Sequence, residues 1–451
     1  MTIATINRIL RMFSDAFQDL SIQVPMKDVE RLATLVHHSM EQGRRKYHTS
    51  AHLFDMAAGM NSRQTLAVLF HDIVYCQLDG GFPEKAKDLL SATVEVRNDQ
   101  VVLLPLQEGD TCAQLCAGLF GFKAGDTLPL FGGMNEFLSA IVGTRLLQPY
   151  LSVADLIYIA SCIEATVPFR GPCPAGQSTF ERAAERVAAV NQSLHTELDE
   201  AGIRRMVIDA VLMANRDVAS FSLADPGHFL ATTWQLIEES NAPLAAVGVY
   251  SISEYRGALM RMEKFLASLN PDHVFHSYQG TPNAQDFAAL QAATRKNLAF
   301  SVAYLGAKIV SIALIEALAL ETGGDCPVAM LLGDIRSPYG IPDRVENFLP
   351  PLDGDGQPTD PALLAIFEKG RARESAHDLT VSPLTAYVYR YEGQAGSVRA
   401  LEQAKRMFSG EQTPRLFLAT LRPALVRSVA SACAHIAISR SAELKVLEAA
   451  F

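Results

Sequence analysis

Hydrophobic positions along this chain recur at helical spacing almost throughout. Val29-Leu32-Leu35-Val36, Leu53-Met56-Ala57-Met60 and Leu156-Ile159-Ala160-Ile163 follow the i, i+3, i+4 rule that lays one apolar stripe along a helix. The same periodicity predicts helices over 206–214, 229–238, 253–268 and 284–320. One run, Val101-Val102-Leu103-Leu104-Pro105, reads instead as a short strand. It lies inside 77–133, where Gly, Asp and Pro break the hydrophobic pattern, so this stretch is expected to be an insertion or lid. A second break falls at Glu239-Ser240-Asn241-Ala242-Pro243. The expected architecture is all-α, with a helical domain over 1–245 and a second helical domain over 246–451.

The C-terminal half holds a loop over 322–361 rich in Gly, Pro and Asp. Its Asp353-Gly354-Asp355-Gly356 stretch looks like a calcium-loop fragment but lacks the spaced ligands and closing glutamate, and it reads as a surface turn. Phe275-His276 and Thr322-Gly323-Gly324-Asp325-Cys326-Pro327 read as structural, and 373–386 shows no chemical pattern.

The most apolar stretch, 299–320, raises the membrane question. It contains Lys308 and Glu316, each of which costs about a few kcal/mol to insert in a bilayer, so a buried core helix is the expectation. The first twenty residues carry Arg8, Arg11, Asp15 and Asp19 at amphipathic spacing, without the apolar stretch of a signal peptide. The net charge of −10, from 49 acidic and 39 basic residues, argues against a general nucleic-acid binder. A small anionic substrate remains compatible, because one metal and one or two arginines dominate a local field. The 7 cysteines form no CxxC pair and point to reduced thiols in the cytoplasm.

Three segments of the first domain carry chemistry. In Arg44-Arg45-Lys46-Tyr47-His48-Thr49-Ser50-Ala51-His52, a helix starting at Thr49 or Ser50 sets His52 in its first turn. Phe70-His71-Asp72-Ile73-Val74-Tyr75 ends the apolar Leu66-Ala67-Val68-Leu69. Adjacent side chains on a helix diverge by about 100°, so His71 and Asp72 meet on one ion only off the helix end. Asn215-Arg216-Asp217 follows the apolar 206–214. Imidazoles and carboxylates together suit Zn, Mn, Fe or Mg, and two of each leave coordination positions for water and substrate. Farther on, Glu164 lies in an apolar helix ahead of Pro168 and Arg170. Arg170 either neutralises a substrate phosphate or pairs structurally with Glu164.

The order His…His-Asp…Asp resembles the HD-domain superfamily of metal-dependent phosphohydrolases. The local forms Tyr47-His48-x-x-x-His52, Phe70-His71-Asp72-x-Val74-Tyr75 and Asn135-Glu136-x-x-Ser139-Ala140 resemble the branch similar to class I cyclic-nucleotide phosphodiesterases, over roughly 40–220. The resemblance implies an HD-domain-like helical bundle and one or two divalent ions held by His52, His71, Asp72 and a later aspartate. Asp217 is the choice for the last ligand, with Asp209 as competitor. It implies His48 as proton donor, and Glu136 near the attacking water or a second ion. The implied activity is phosphoester hydrolysis on a nucleotide or other small phosphorylated substrate, without nucleic-acid or membrane partners; self-association is left open. Two further readings stand beside it: a two-iron oxygenase, for which His195 is the spare histidine between His71 and Asp217, and a non-catalytic sensor that keeps the fold.

Overall fold

A computed structural model describes residues 3–336, 342–352 and 356–451. The chain is 65% helix and 3% strand, so it is all-α, as the periodicity predicts. It divides into two compact units, Met1–Ser222 with Asn270–Thr294, and Leu223–Leu269 with Arg295–Phe451. The division falls before the break at 239–243 because the helix Pro226–Ser240 packs on the short turn Ala242–Ala245 and on Ile252–Ser268. The Asn-Ala-Pro break is thus an internal corner of the second unit. The return of Asn270–Thr294 to the first unit has no counterpart in the sequence pattern.

The first unit contains α1 (Thr5–Asp19), α2 (Met26–Met40), α3 (Ser50–Ala57), α4 (Ser62–Phe70), α5 (Cys76–Asp79), α6 (Glu84–Leu90), α7 (Thr111–Phe120), α8 (Met134–Leu147), α9 (Val153–Ala165), α10 (Thr179–Ser193) and α11 (Glu200–Asp217). Helix α9 is its centre and packs against α4, α7, α8, α10 and α11. Its sequence is apolar all round, and every residue from Leu156 to Ala165 is buried, as a helix enclosed on all sides requires. A leucine truncated to alanine here costs about 2–5 kcal/mol.

The segment 77–133 is an integral layer of this unit. Strands β1 (Val94–Arg97) and β2 (Gln100–Leu103) form a hairpin turning through Asn98 and Asp99, both in the left-handed region that a tight hairpin turn needs. Cys112, Leu115, Cys116 and Leu119 of α7 join the same core as α9. The pattern looked broken because several short elements share that core.

The second unit contains α12 (Pro226–Ser240), α13 (Ile252–Ser268), most of α14 (Ala284–Thr322), α15 (Ala329–Leu332), α16 (Pro361–Lys369), α17 (Pro383–Phe408), α18 (Pro414–Thr420), α19 (Pro423–Ile436) and α20 (Ser441–Ala449). By length and composition α14 could cross a membrane, but 78% of its most apolar window is buried within the protein. Of the Asp353-Gly354-Asp355-Gly356 turn, the first three residues lie outside the described residues.

Candidate metal centre

Each candidate ligand comes from the end of a helix. Helix α3 begins at Ser50 and sets His52 in its first turn. Helix α4 opens on a capping box between Asn61 and Gln64 and ends at Phe70, with His71 as its C-terminal cap. His71 and Asp72 therefore leave the helix where the next turn would have separated them. Gly143 lets α8 press on this end, since a Cβ there would lie 3.0 Å from the Phe70 Cβ. Helix α11 ends on Asp217.

These ends meet. Ligand atoms of His52, His71 and Asp72 all lie within 4.8 Å of one another. Asp217 Oδ1 lies 3.0 Å from His52 Nε2 and 3.7 Å from His71 Nε2, and Asp72 Oδ2 lies 3.0 Å from His71 Nε2. Asp209 faces elsewhere: its carboxylate accepts hydrogen bonds from Tyr158 and Asn61, and its carbonyl accepts one from Gln64. It braces the start of α4, two turns from the cluster.

The residues present suit a cation. His71 is 1% exposed, and its Nδ1 lies 2.8 Å from the Val68 carbonyl, the partner that fixes Nδ1–H as donor. Its Nε2 is buried and makes no hydrogen bond among the described residues, although two carboxylates lie close. Two carboxylates facing one imidazole nitrogen favour positive charge between them, either a proton on Nε2 or a bound cation. Burial disfavours a charged His71, but Asp72 and Asp217 outweigh it and raise its pKa well above the ordinary imidazole value. Burial likewise opposes the charge on Asp72, yet His71, His48 and His52 hold it far below the carboxylate range. Asp217, half-buried, is likewise held below the carboxylate range by His52 and His71.

Around this core, His48 packs with its ring centre 6.1 Å from that of His52 and 4.9 Å from that of Tyr75. Glu136 lies in the first turn of α8, half-buried. Burial, with the charges of Asp72 and Asp217, pushes its pKa up to about 7. Its neighbours explain the Asn-Glu-x-x-Ser pattern. Asn135 accepts a hydrogen bond from the Cys76 amide and donates to Gln77, while one turn later Ser139 accepts one from the Val74 amide. Both hold the loop that follows Asp72, and Glu136 shares their turn.

Arg170 sits otherwise than a free phosphate-binding arginine would. Its guanidinium donates to the Glu164 carboxylate, to the Glu164 carbonyl at 2.9 Å and to the Val167 carbonyl at 3.1 Å. Arg186 meets the same carboxylate at 2.7 Å. A carboxylate buried in α9 needs this compensation, so of the two readings the geometry supports the structural pair. His195, the spare histidine of the two-iron reading, is exposed in a left-handed turn after α10 and is not among the converging side chains.

One group carries no readable signal in the sequence, and another, His276, is held as its structural reading expects. Arg45 is 4% exposed; it donates to both Asp79 oxygens, at 3.1 and 2.7 Å, and to the Asp72 carbonyl at 2.7 Å. In the run Arg44-Arg45-Lys46 it looks like one more surface cation. His276 returns with Asn270–Thr294, where its backbone pairs with the Asn215 side chain at 2.8 Å in both directions. Burial pushes its pKa down to about 4.

No family model matches the chain, and neither a curated protein nor a solved structure does.

Proposed function

We propose that the first unit is a metal-dependent hydrolase of small phosphoesters, with a nucleotide as the leading substrate class. The observation that carries this reading is the convergence of His52, His71 and Asp72, whose ligand atoms lie within 4.8 Å of one another, with Asp217 beside both imidazoles. His52, His71, Asp72 and Asp217 would hold a divalent ion. When bound, such an ion lowers the pKa of water towards neutrality and draws charge off phosphoryl oxygens.

The chain's own groups handle the protons. Water adds to phosphorus as the bond from phosphorus to the departing ester oxygen breaks. His48, outside the ligand set, delivers the proton that this oxygen needs. Glu136, with its pKa near 7, accepts the proton that the water gives up. Asn135, Ser139 and Arg45 fix the loop that carries Asp72, so that little reorganisation remains for the reaction itself.

The test is metal analysis of the purified chain, followed by a panel of nucleotides and phosphodiesters. At least one divalent transition ion per chain is expected, and His71→Ala with Asp72→Ala should remove it while the helical signal stays. Full occupancy in that double variant would refute the assignment.

A further inference from the structure

His48, in the bend before α3, is bordered by aromatic rings. Its ring centre lies 4.8 Å from that of Tyr47, 4.9 Å from that of Tyr75 and 6.1 Å from that of His52. Tyr47 and Tyr75 both meet it edge to face, the arrangement that rings with negative faces and positive edges favour. Tyr47 is its neighbour in the chain and also lies 5.1 Å from the His52 ring, so it touches a candidate ligand as well. Tyr75 reaches His48 from beyond α4.

The backbone that carries the Tyr75 ring is fixed on both sides. Its carbonyl accepts the Leu78 and Asp79 amides at 3.0 and 2.9 Å, which closes α5 on it. Its own amide lies 3.3 Å from the Asp79 carboxylate, which Arg45 also holds, and the Arg45 guanidinium lies 6.0 Å from the centre of its ring. Ser139 and Asn135 take the amides of the residues before and after it, Val74 and Cys76. The candidate ligands are oriented differently: His71 by the Val68 carbonyl and His52 by Asp217. His48, outside the ligand set, takes its orientation from the groups packed on it.

Resting on the hydrolase reading above, we propose that Tyr75 is a positioning residue, whose ring holds the His48 imidazole towards the departing ester oxygen. The proton passes from the imidazole nitrogen to that oxygen as the bond to phosphorus breaks, and Tyr75 takes no part in the transfer.

The test uses full-chain Tyr75→Ala, Tyr75→Phe, His48→Asn and the double variant Tyr75→Ala with His48→Asn. Tyr75→Ala should lose about 3–10-fold in turnover on ordinary phosphodiesters, the bias that one edge-to-face contact supplies. On a nitrophenyl ester, whose leaving group needs little protonation, the loss should stay below about 2-fold. Zinc affinity, read by competition with a chromophoric chelator, should be unchanged. Tyr75→Phe keeps the ring and should restore turnover. In the His48→Asn chain, Tyr75→Ala should cost nothing more, because the group it orients is gone. If Tyr75→Ala fails to fold, Tyr75→Leu, which fills the space without a ring, carries the test. One readout needs neither substrate nor metal. With isotope-labelled histidine and tyrosine rings, a ring-to-ring NOE between His48 and Tyr75 is expected, and in Tyr75→Ala the His48 signal should broaden or split as its orientation is released. A chain that hydrolyses no phosphoester would defeat the hydrolase reading, while this signal would still decide whether Tyr75 holds His48. Equal losses on both esters, a further loss in the His48→Asn chain, no rescue by Tyr75→Phe, or an equally sharp single His48 signal in Tyr75→Ala would overturn the proposal.

Discussion

Replacing Arg45 by methionine separates two jobs that one side chain performs. Its side chain is fully enclosed and that of Asp79 is 3% exposed, so the substitution strands a buried carboxylate. Losing one partner of a buried pair costs about 3–5 kcal/mol. The Tyr75 amide, 3.3 Å from Asp79, is a weak substitute and argues for the lower end, about 3 kcal/mol. For a unit of this size that is a fall of about 6–12 °C in Tm. Arg45→Met with Asp79→Leu removes both charges and should recover most of the loss, since buried pairs exchange for apolar residues at little net cost. The second job does not recover. Arg45 also bonds the Asp72 carbonyl, so both variants lose the tether of a candidate ligand, and zinc affinity should stay about 10–100-fold lower. Scanning fluorimetry of the metal-free proteins measures the first effect, and competition with a chromophoric chelator measures the second. A double variant with full metal affinity would show that Arg45 is only a charge partner. A single variant losing less than about 1 kcal/mol would show that the pair is not buried in solution.

His48→Asn should keep its metal and lose about 10²–10⁴-fold in turnover on ordinary esters, but far less on a nitrophenyl ester, whose leaving group needs little protonation. His52→Asn should lose metal and both activities; a His48 variant that arrives stripped of metal refutes the division of roles. Glu136 must be ionised to accept a proton, so activity should fall on the acid side of a pH at or below about 7, because a bound cation lowers its pKa from the ion-free value. That limb should vanish in Glu136→Gln, and an unchanged profile excludes Glu136 as the base. For Glu164, burial works against the charge, but Arg170 and Arg186 outweigh it and lower the pKa. Its contribution to stability is therefore complete above the ordinary carboxylate pKa and is lost as pH falls through the depressed one. Glu164→Gln should cost about 2–3 kcal/mol at pH 7, less than a fully enclosed pair because both arginines are partly exposed, with the difference from wild type closing in acid. Equal denaturation midpoints at pH 7 would contradict this.

The sequence by itself determined the helices and the ends from which the candidate site is built. Periodicity reports which side of a segment is apolar, and that is a local property, so the helices around Leu32, Leu156 and Val211 were legible. The position of His71 and Asp72 just past an apolar run was legible for the same reason. Tertiary structure decided which residues meet. Asp209 and Asp217 lie on one helix, about 12 Å apart along its axis and about 80° apart around it, and nothing local separates them. Only the packing of α11 against α3 and α4 brings Asp217 to His52, and its packing against α9 turns Asp209 to Tyr158. Arg45 differs from Arg44 in burial alone, and burial is set by elements distant in sequence. Apart from the strand at Val101, the stretch 77–133 gave no regular pattern because its short elements are apolar only towards a core that other helices complete. Glu164 and Arg170, six residues apart across the end of α9, could equally have faced a ligand or each other. Charge burial in α9 decided it, since a carboxylate enclosed on every side must take its cation from within the fold.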